Sequence, residues 1–180
     1  GDGPLIVTVG RLADQKGLPT LLDATAGWAR RTVPPLVAIA GDGPLEPFLR
    51  DRIVAEGLPV RLLGRRSDVA GLLAAADVAV VPSVWEGQPL IVQEILRAGR
   101  PLVATAVGGV PELVGDAALL VPPGQAEALE QAVNRVLDDS ALSVRLGAAA
   151  ALRATELPTE DDAVDQLAAL YRRLGHSKPA

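Results

Sequence analysis

Short runs of consecutive apolar residues, most of them stopped by glycine or proline, alternate along this chain with longer stretches in which apolar residues return every three or four positions. Leu5–Val9 is the first run and ends at Gly10. Leu36–Ala40 ends at Gly41, Val60–Leu63 at Gly64 and Val78–Val81 at Pro82-Ser83, and Leu102–Thr105 and Ala118–Val121 complete the set. A run that is apolar on successive residues, rather than on every second one, marks a strand covered on both faces. Between the runs, Leu18, Leu21, Leu22, Thr25 and Ala29 keep helical spacing, with Pro19 acceptable in a first turn. Leu45, Phe48, Leu49 and Ile53 predict a second helix closed by Gly57, and Ser67 reads as the N-cap of a third carrying Val69, Leu72, Leu73 and Ala76. Pro89–Ala98 is apolar on most sides and predicts a buried helix; Pro111–Val114 predicts a short one. Three helices finish the chain, the clearest marked by Leu129, Ala132, Val133, Val136, Leu137 and by Val164, Leu167, Ala168, Tyr171, Leu174.

Six buried strands joined by helical crossovers imply an α/β fold: a doubly wound, Rossmann-like, six-stranded parallel sheet with helices on both faces. Ligands of such sheets bind outside the carboxyl ends of the strands. The unusual residues gather at those ends: Gly10-Arg11, Gly41-Asp42-Gly43-Pro44, Gly64-Arg65-Arg66, Ser83 to Glu86, and Gly108-Gly109. Any one of these is an ordinary turn, but five on one rim predict a ligand crevice.

Composition narrows the chemistry. Hydrophobic residues make up 49% of the 180 positions and aromatics 2%, so the core has to be aliphatic. There is no cysteine, and the one histidine, His176, stands near the chain end, which excludes disulfides, thiolate metal sites and a histidine-centred reaction. A formal net charge of −5 argues against a general nucleic-acid binder. No apolar run approaches the ~20 residues of a membrane span. The length suits a single domain over residues 1–180, and a chain with no methionine reads as a fragment or a processed product.

Two constellations carry candidate chemistry. In the first, Gly10 to Gly17, Arg11 lies near Lys16, the only lysine besides Lys178, in the loop between the first strand and the first helix. Arginine forks onto phosphate oxygens, lysine adds a point charge and a helix start adds partial positive charge, so together they suit a diphosphate. The plain alternative is a solvated loop. Its glycine spacing fits neither the dinucleotide fingerprint nor the P-loop. In the second, Trp85 to Glu94, Glu86 precedes the helix that Pro89 opens, and Glu94 follows about 7 Å along the axis at ~1.5 Å per residue. Carboxylates suit paired sugar hydroxyls. The alternatives are a helix-dipole charge for Glu86 and a pair with Arg97 for Glu94. Trp28 and Trp85 each fit core or surface, and Arg65-Arg66 fit either a ligand or solvent. A paired-carboxylate hydrolase is discounted, because the two glutamates flank a helix start beside a basic loop.

The stretches GRLADQKG at 10–17, GDGP at 41–44, ADVAVVPSVWEGQPLIVQE at 76–94 and GGVPELV at 108–114 resemble the group-1 (family 4) retaining glycosyltransferases of GT-B fold. The pair of glutamates with seven residues between them, Glu86 and Glu94, is the most specific part. The resemblance covers nearly the whole chain but only that family's C-terminal, donor-binding half, with the N-terminal acceptor domain absent. It implies that Arg11 and Lys16 bind the diphosphate and stabilise the leaving group, that Glu94 holds the ribose, and that Glu86 contacts the transferred sugar with the backbone of Gly87, Gln88 and Leu90 assisting. Gly10 would line the same pocket, and Gly64 and Arg65 would pass beside the base. It also implies a UDP-, GDP- or related nucleotide sugar as donor, no metal or other cofactor, a cytoplasmic enzyme that is at most peripheral to a membrane, and a fragment that transfers nothing alone. One departure is that Gln88-Pro89 stands where many members carry Phe-Gly, which removes one N–H donor. The competing readings are a GT-B-like sugar-nucleotide epimerase, which would need further acid–base groups, and a non-catalytic Rossmann-like nucleotide-binding module.

Overall fold

The residues of a strand point alternately to its two faces, so an unbroken apolar run needs cover on both. The computed structural model, which describes residues 3–157 together with Val164, Ala168, Tyr171 and Arg172, supplies that cover. Strands β1 (Leu5–Val9), β2 (Leu36–Ala40), β3 (Val60–Gly64), β4 (Val78–Val81), β5 (Leu102–Thr105) and β6 (Ala118–Val121) form one parallel sheet in the order β3-β2-β1-β4-β5-β6. The helices are α1 (Leu18–Trp28), α2 (Glu46–Glu56), α3 (Val69–Ala75), α4 (Leu90–Arg97), α5 (Val110–Val114), α6 (Ala126–Asp138) and α7 (Ser140–Thr155). The strand order reverses between β1 and β4, and their carboxyl ends open a crevice there. The ladder at this point is short: Ile6 pairs with Val78 and Val7 with Ala79, whereas β1 and β2 are in register from Leu5↔Leu36 to Val9↔Ala40.

The two faces build two separate cores. Ile6, Val37, Ile39, Val78 and Val80 turn toward α1, α2 and α6, where they meet Leu21, Leu22, Trp28, Leu49, Leu129 and Val133. Val7, Ala38, Ala79, Val81 and Ala104 turn the other way onto Leu73, Val92, Ile95, Leu96, Val114 and Ala150, from α3, α4, α5 and α7. Trp28 is fully buried and satisfies its indole N–H on the Glu130 carbonyl at 3.3 Å, which settles it as core. The link between α6 and α7 is capped by Asp139, whose Oδ1 accepts from the Leu142 N–H at 2.9 Å.

Several expectations need correction. The helix after β4 runs Leu90–Arg97 and buries one face only: Val92, Ile95 and Leu96 are inside, while Leu90 is 69% exposed. Its first turn is apolar although the helix is not enclosed, because Leu90 stands exposed and Ile91 is only half-buried beside buried Val92. The N-cap of α3 is Asp68 rather than Ser67, and Arg66 holds the Asp68 carboxylate through two hydrogen bonds of 2.8 and 2.6 Å. That engagement leaves the cap without a side-chain bond to the helix. Phe48, marked by spacing as an inner residue, is half exposed, and Leu49 is the buried residue of α2. Of the expected last helix, Val164, Ala168 and Tyr171 are helical and exposed; Leu167 and Leu174, like His176 and Lys178, lie outside the described residues. Replacing Trp28 by Ala removes the largest buried side chain. We expect a loss of about 3–5 kcal/mol in urea unfolding, on the scale of aromatic-to-alanine cavities.

Candidate functional site

The crevice at the switch point is walled by the loop after β1 and the loop after β4, and the sequence joins them physically. The first loop is anchored by buried Leu12, whose N–H donates to the Asp42 carbonyl and whose carbonyl accepts from the Leu45 N–H, both at 2.9 Å. It then closes in a 3-10 turn, Asp14–Lys16. Gly17 follows with φ +62°, and a Cβ there would lie 2.0 Å from the Pro82 carbonyl oxygen, so only glycine lets the two loops meet so closely. Across the contact, the Val84 N–H donates to the Gln15 carbonyl at 2.8 Å, and the Gln15 amide donates to the Trp85 carbonyl at 3.2 Å.

The strongest link is ionic. Lys16 lays its methylenes along Gly10 and donates from Nζ to Glu86 Oε1 at 2.6 Å. Glu86 is 7% exposed, so the pair is far better shielded than a surface bridge. Removing a charge from water costs several kcal/mol, which the partner charge and added hydrogen bonds must offset. A second donor is present, since the Ser83 hydroxyl bonds the same Oε1 at 2.6 Å. The Ser83 carbonyl in turn accepts from the Thr105 hydroxyl at 2.5 Å. The loop after β5 braces this group from behind. Gly108 (φ +51°) sits where a Cβ would approach the Glu86 carbonyl oxygen to 1.7 Å, and the Gly109 N–H reaches the Gly87 carbonyl at 3.3 Å.

The predicted site residues fall into three neighbouring spaces. Arg11, Lys16, Gly10, Ser83 and Ile91 line a narrow recess at the start of α4. Arg11 and Gly10 also border a cleft of about 490 Å³ with Gly41, Asp42, Arg65, Arg66 and Val69. Arg11 is exposed, and none of the described ion pairs or side-chain hydrogen bonds engages it, so it faces both spaces with its guanidinium uncommitted. Arg65 is pinned to Asp42 at 2.8 Å and Arg66 to Asp68, so both arginines line the cleft while remaining largely in water. Hydrogen bonding from Arg66 holds the Asp68 carboxyl below its ordinary value. Gly64 turns the chain into this wall with φ +66°, and its carbonyl accepts from the Gly41 N–H at 2.8 Å.

Glu94 stands apart. It is exposed and lines a groove of about 400 Å³ between α3 and α4 with Ala70, Leu73, Ala74 and Arg97. It does not share a cavity with Arg11 or Lys16. The expectation of a carboxylate buried in an enclosed helix is therefore wrong. So is the alternative of a pair with Arg97, whose guanidinium reaches toward Gln93 at 3.5 Å. Residues adjacent in the chain border the separate spaces: Val69 the cleft and Ala70 the groove, while Ile91 borders the recess one turn before Glu94. Gly87, Gln88 and Leu90 are exposed at the mouth, while Pro89 is buried at the N-cap of α4. Trp85, 63% exposed, lies on the surface beside them. Sequence reading noted Ser83 only as part of the rim and gave Thr105 and Gln15 no role; Ser83 and Gln15 lie inside the quoted stretches, but their use is set by contacts between loops that spacing does not reveal.

The profile of the glycosyl transferases group 1 matches residues 3–139. The chain belongs to this family. It is 35% identical over 180 residues to the alpha-D-kanosaminyltransferase of Streptomyces kanamyceticus, an alignment covering 97% of this chain and 47% of that protein. Among solved structures, Anabaena HepE in complex with UDP and glucose superimposes with a TM-score of 0.87 at 25% identity, over 95% of this chain and 48% of HepE. Sucrose-phosphate synthase from Thermosynechococcus elongatus gives 0.86 at 30% identity, over 98% of this chain and 47% of that one. The chain thus spans about half the length of the relatives it matches, and the Rossmann-like half of a GT-B fold is what it forms. These relatives do not favour the epimerase or binding-module readings. The bracing of Glu86 yields a prediction. Gly108→Ala forces a side chain against the Glu86 carbonyl at a left-handed φ, and we expect at least about 1–3 kcal/mol of destabilisation, read as a lowered Tm in a thermal melt.

Proposed function

We propose that this chain is the donor-binding domain, over residues 1–180, of a retaining glycosyltransferase that takes a sugar from a nucleotide diphosphate to an acceptor hydroxyl. The observation that carries the reading is the meeting of Lys16 and Glu86 at the start of α4, with the uncommitted Arg11 on the same recess. A nucleotide sugar presents a diphosphate next to neutral hydroxyls. A cationic edge with a carboxylate in contact with it matches that pairing. HepE, whose fold this chain shares, was crystallised with UDP and glucose, which supports a nucleotide-sugar donor.

In this reading Arg11 forks onto the diphosphate and Lys16 joins it, stabilising the charge that grows on the leaving group as the glycosidic bond to phosphate breaks. The N–H groups that open α4 at Leu90 and Ile91 add to the same field. This positive charge, supplied by side chains and a helix end, is the ground for proposing metal-independent transfer. Glu86, with the backbone of Gly87, Gln88 and Leu90, addresses the sugar; Glu94, one turn along α4 in the adjoining groove, addresses the ribose; Gly10, Gly64 and Arg65 border the cleft left for the base. Retention at the anomeric carbon and a cytoplasmic setting belong to the same proposal. Among the described residues no helix is long and apolar enough to cross a membrane. The acceptor and its activating group would come from the half of the relatives that this chain does not span, so we expect donor binding without transfer.

Calorimetry against UDP, GDP, ADP and TDP tests the proposal. At least one should bind, and NAD should not; indifference to all four would overturn it. Lys16→Ala should weaken the bound nucleoside diphosphate by at least about 1.5–3 kcal/mol, the scale of a charge-assisted hydrogen bond, because it also leaves the Glu86 carboxylate unneutralised beside the phosphates. Glu94→Ala should weaken the nucleoside diphosphate and leave pyrophosphate binding unchanged. Equal weakening of both ligands would remove Glu94 from the ribose.

A further inference from the structure

The contacts around Glu86 are unequal between its two oxygens. Oε1 receives both Lys16 Nζ and the Ser83 hydroxyl, each at 2.6 Å. No described hydrogen bond reaches Oε2, and Oε2 is not among the buried unpartnered atoms, so this oxygen keeps some contact with solvent. Ser83 itself is fully buried, and its carbonyl is tied to Thr105, which is 2% exposed. A serine in this setting has little freedom to follow Glu86; Glu86 has to come to it. Lys16 is different, since its side chain is partly exposed and a diphosphate would compete for its charge.

We propose that Ser83 is a positioning residue for sugar recognition. By holding Oε1 from the buried side, it keeps Oε2 aimed at the sugar when Lys16 turns its charge to the diphosphate. The inference rests on the donor-binding reading above and adds a specific dependence to it: the part of donor affinity that comes from the sugar requires the Ser83 hydroxyl, and the part from the nucleoside diphosphate does not. Without that hydroxyl, Glu86 is held only by a cation with a second partner to satisfy. The carboxylate then loses its fixed orientation.

The test is calorimetry on the 180-residue chain with UDP against UDP-glucose and UDP-N-acetylglucosamine, and GDP against GDP-mannose. The quantity read is the affinity ratio of each sugar nucleotide to its nucleoside diphosphate. Ser83→Ala should lower that ratio about tenfold for the preferred pair, the size of one hydrogen bond to a charged group. Ser83→Cys, slightly larger and only a weak donor, should fall between the two. In a Glu86→Ala background, adding Ser83→Ala should change the ratio less than twofold, since the group it positions is gone. Melting temperatures are recorded for each variant. A ratio unchanged in Ser83→Ala for every pair, or sugar nucleotide and diphosphate weakened alike, would overturn the assignment and leave Ser83 a packing residue. Failure of the wild-type chain to bind any of these ligands would instead defeat the donor-binding reading itself.

Discussion

One ion pair organises the crevice. Lys16 and Glu86 are 70 positions apart in sequence, yet they meet at 2.6 Å with the carboxylate almost out of water. Such a contact survives only when both ends are delivered by rigid supports and further hydrogen bonds satisfy the carboxylate. Both conditions hold. Leu12 and Gly17 fix the lysine loop on its neighbours, while Ser83, Thr105 and Gly108 fix the glutamate from below and behind. The result is a site in which opposite charges are already poised side by side, so a ligand carrying both anionic and hydroxyl groups would replace existing interactions rather than create order from a loose loop.

The sheet explains why this pair sits where it does. Parallel strands deliver every following loop to one edge, and the reversal of strand order between β1 and β4 splays the helices that follow them, α1 and α4, to opposite faces. The space between them is the recess. Arg11, projecting from the lip of β1, borders both this recess and the wider cleft over β2 and β3, so one guanidinium spans the junction of the two. The acidic partners of Arg65 and Arg66 temper the positive charge of the far wall, leaving the uncompensated cation at the centre.

The strands were legible almost residue by residue. The four inner strands are buried on both faces, and double burial writes itself into sequence as a largely aliphatic run; the edge strands β3 and β6, expected to be buried too, expose Arg61 and Leu120, and β3 reaches one residue further than its run, to Gly64. Arg11, Lys16 and Glu86 stood out in the sequence because they interrupt aliphatic surroundings at strand ends, and the fold brings Lys16 to Glu86 and to the recess that Arg11 lines. What failed has a common cause. For α4, apolar content was taken as enclosure, but Leu90 is exposed and Glu94 faces an open groove. Periodicity reports which residues share a face; it does not report whether something covers that face. The same blindness hid the roles of Ser83 and Thr105, whose value lies in contacts set by the tertiary fold, and moved the α3 cap from Ser67 to Asp68, where a neighbouring guanidinium decided the outcome.

The brevity of the ladder between β1 and β4 has its own consequence. Only two residue pairs join β1 to β4, helped by the Thr8 hydroxyl on the Val80 carbonyl and the Asp77 N–H on the Leu5 carbonyl, and the loops above that seam add Val84 to Gln15, Gln15 to Trp85 and Lys16 to Glu86. The crevice residues therefore act as a clasp across the joint as well as a lining for the pocket. A change that loosens them would be felt first at the rim, because below it both cores run unbroken across the seam.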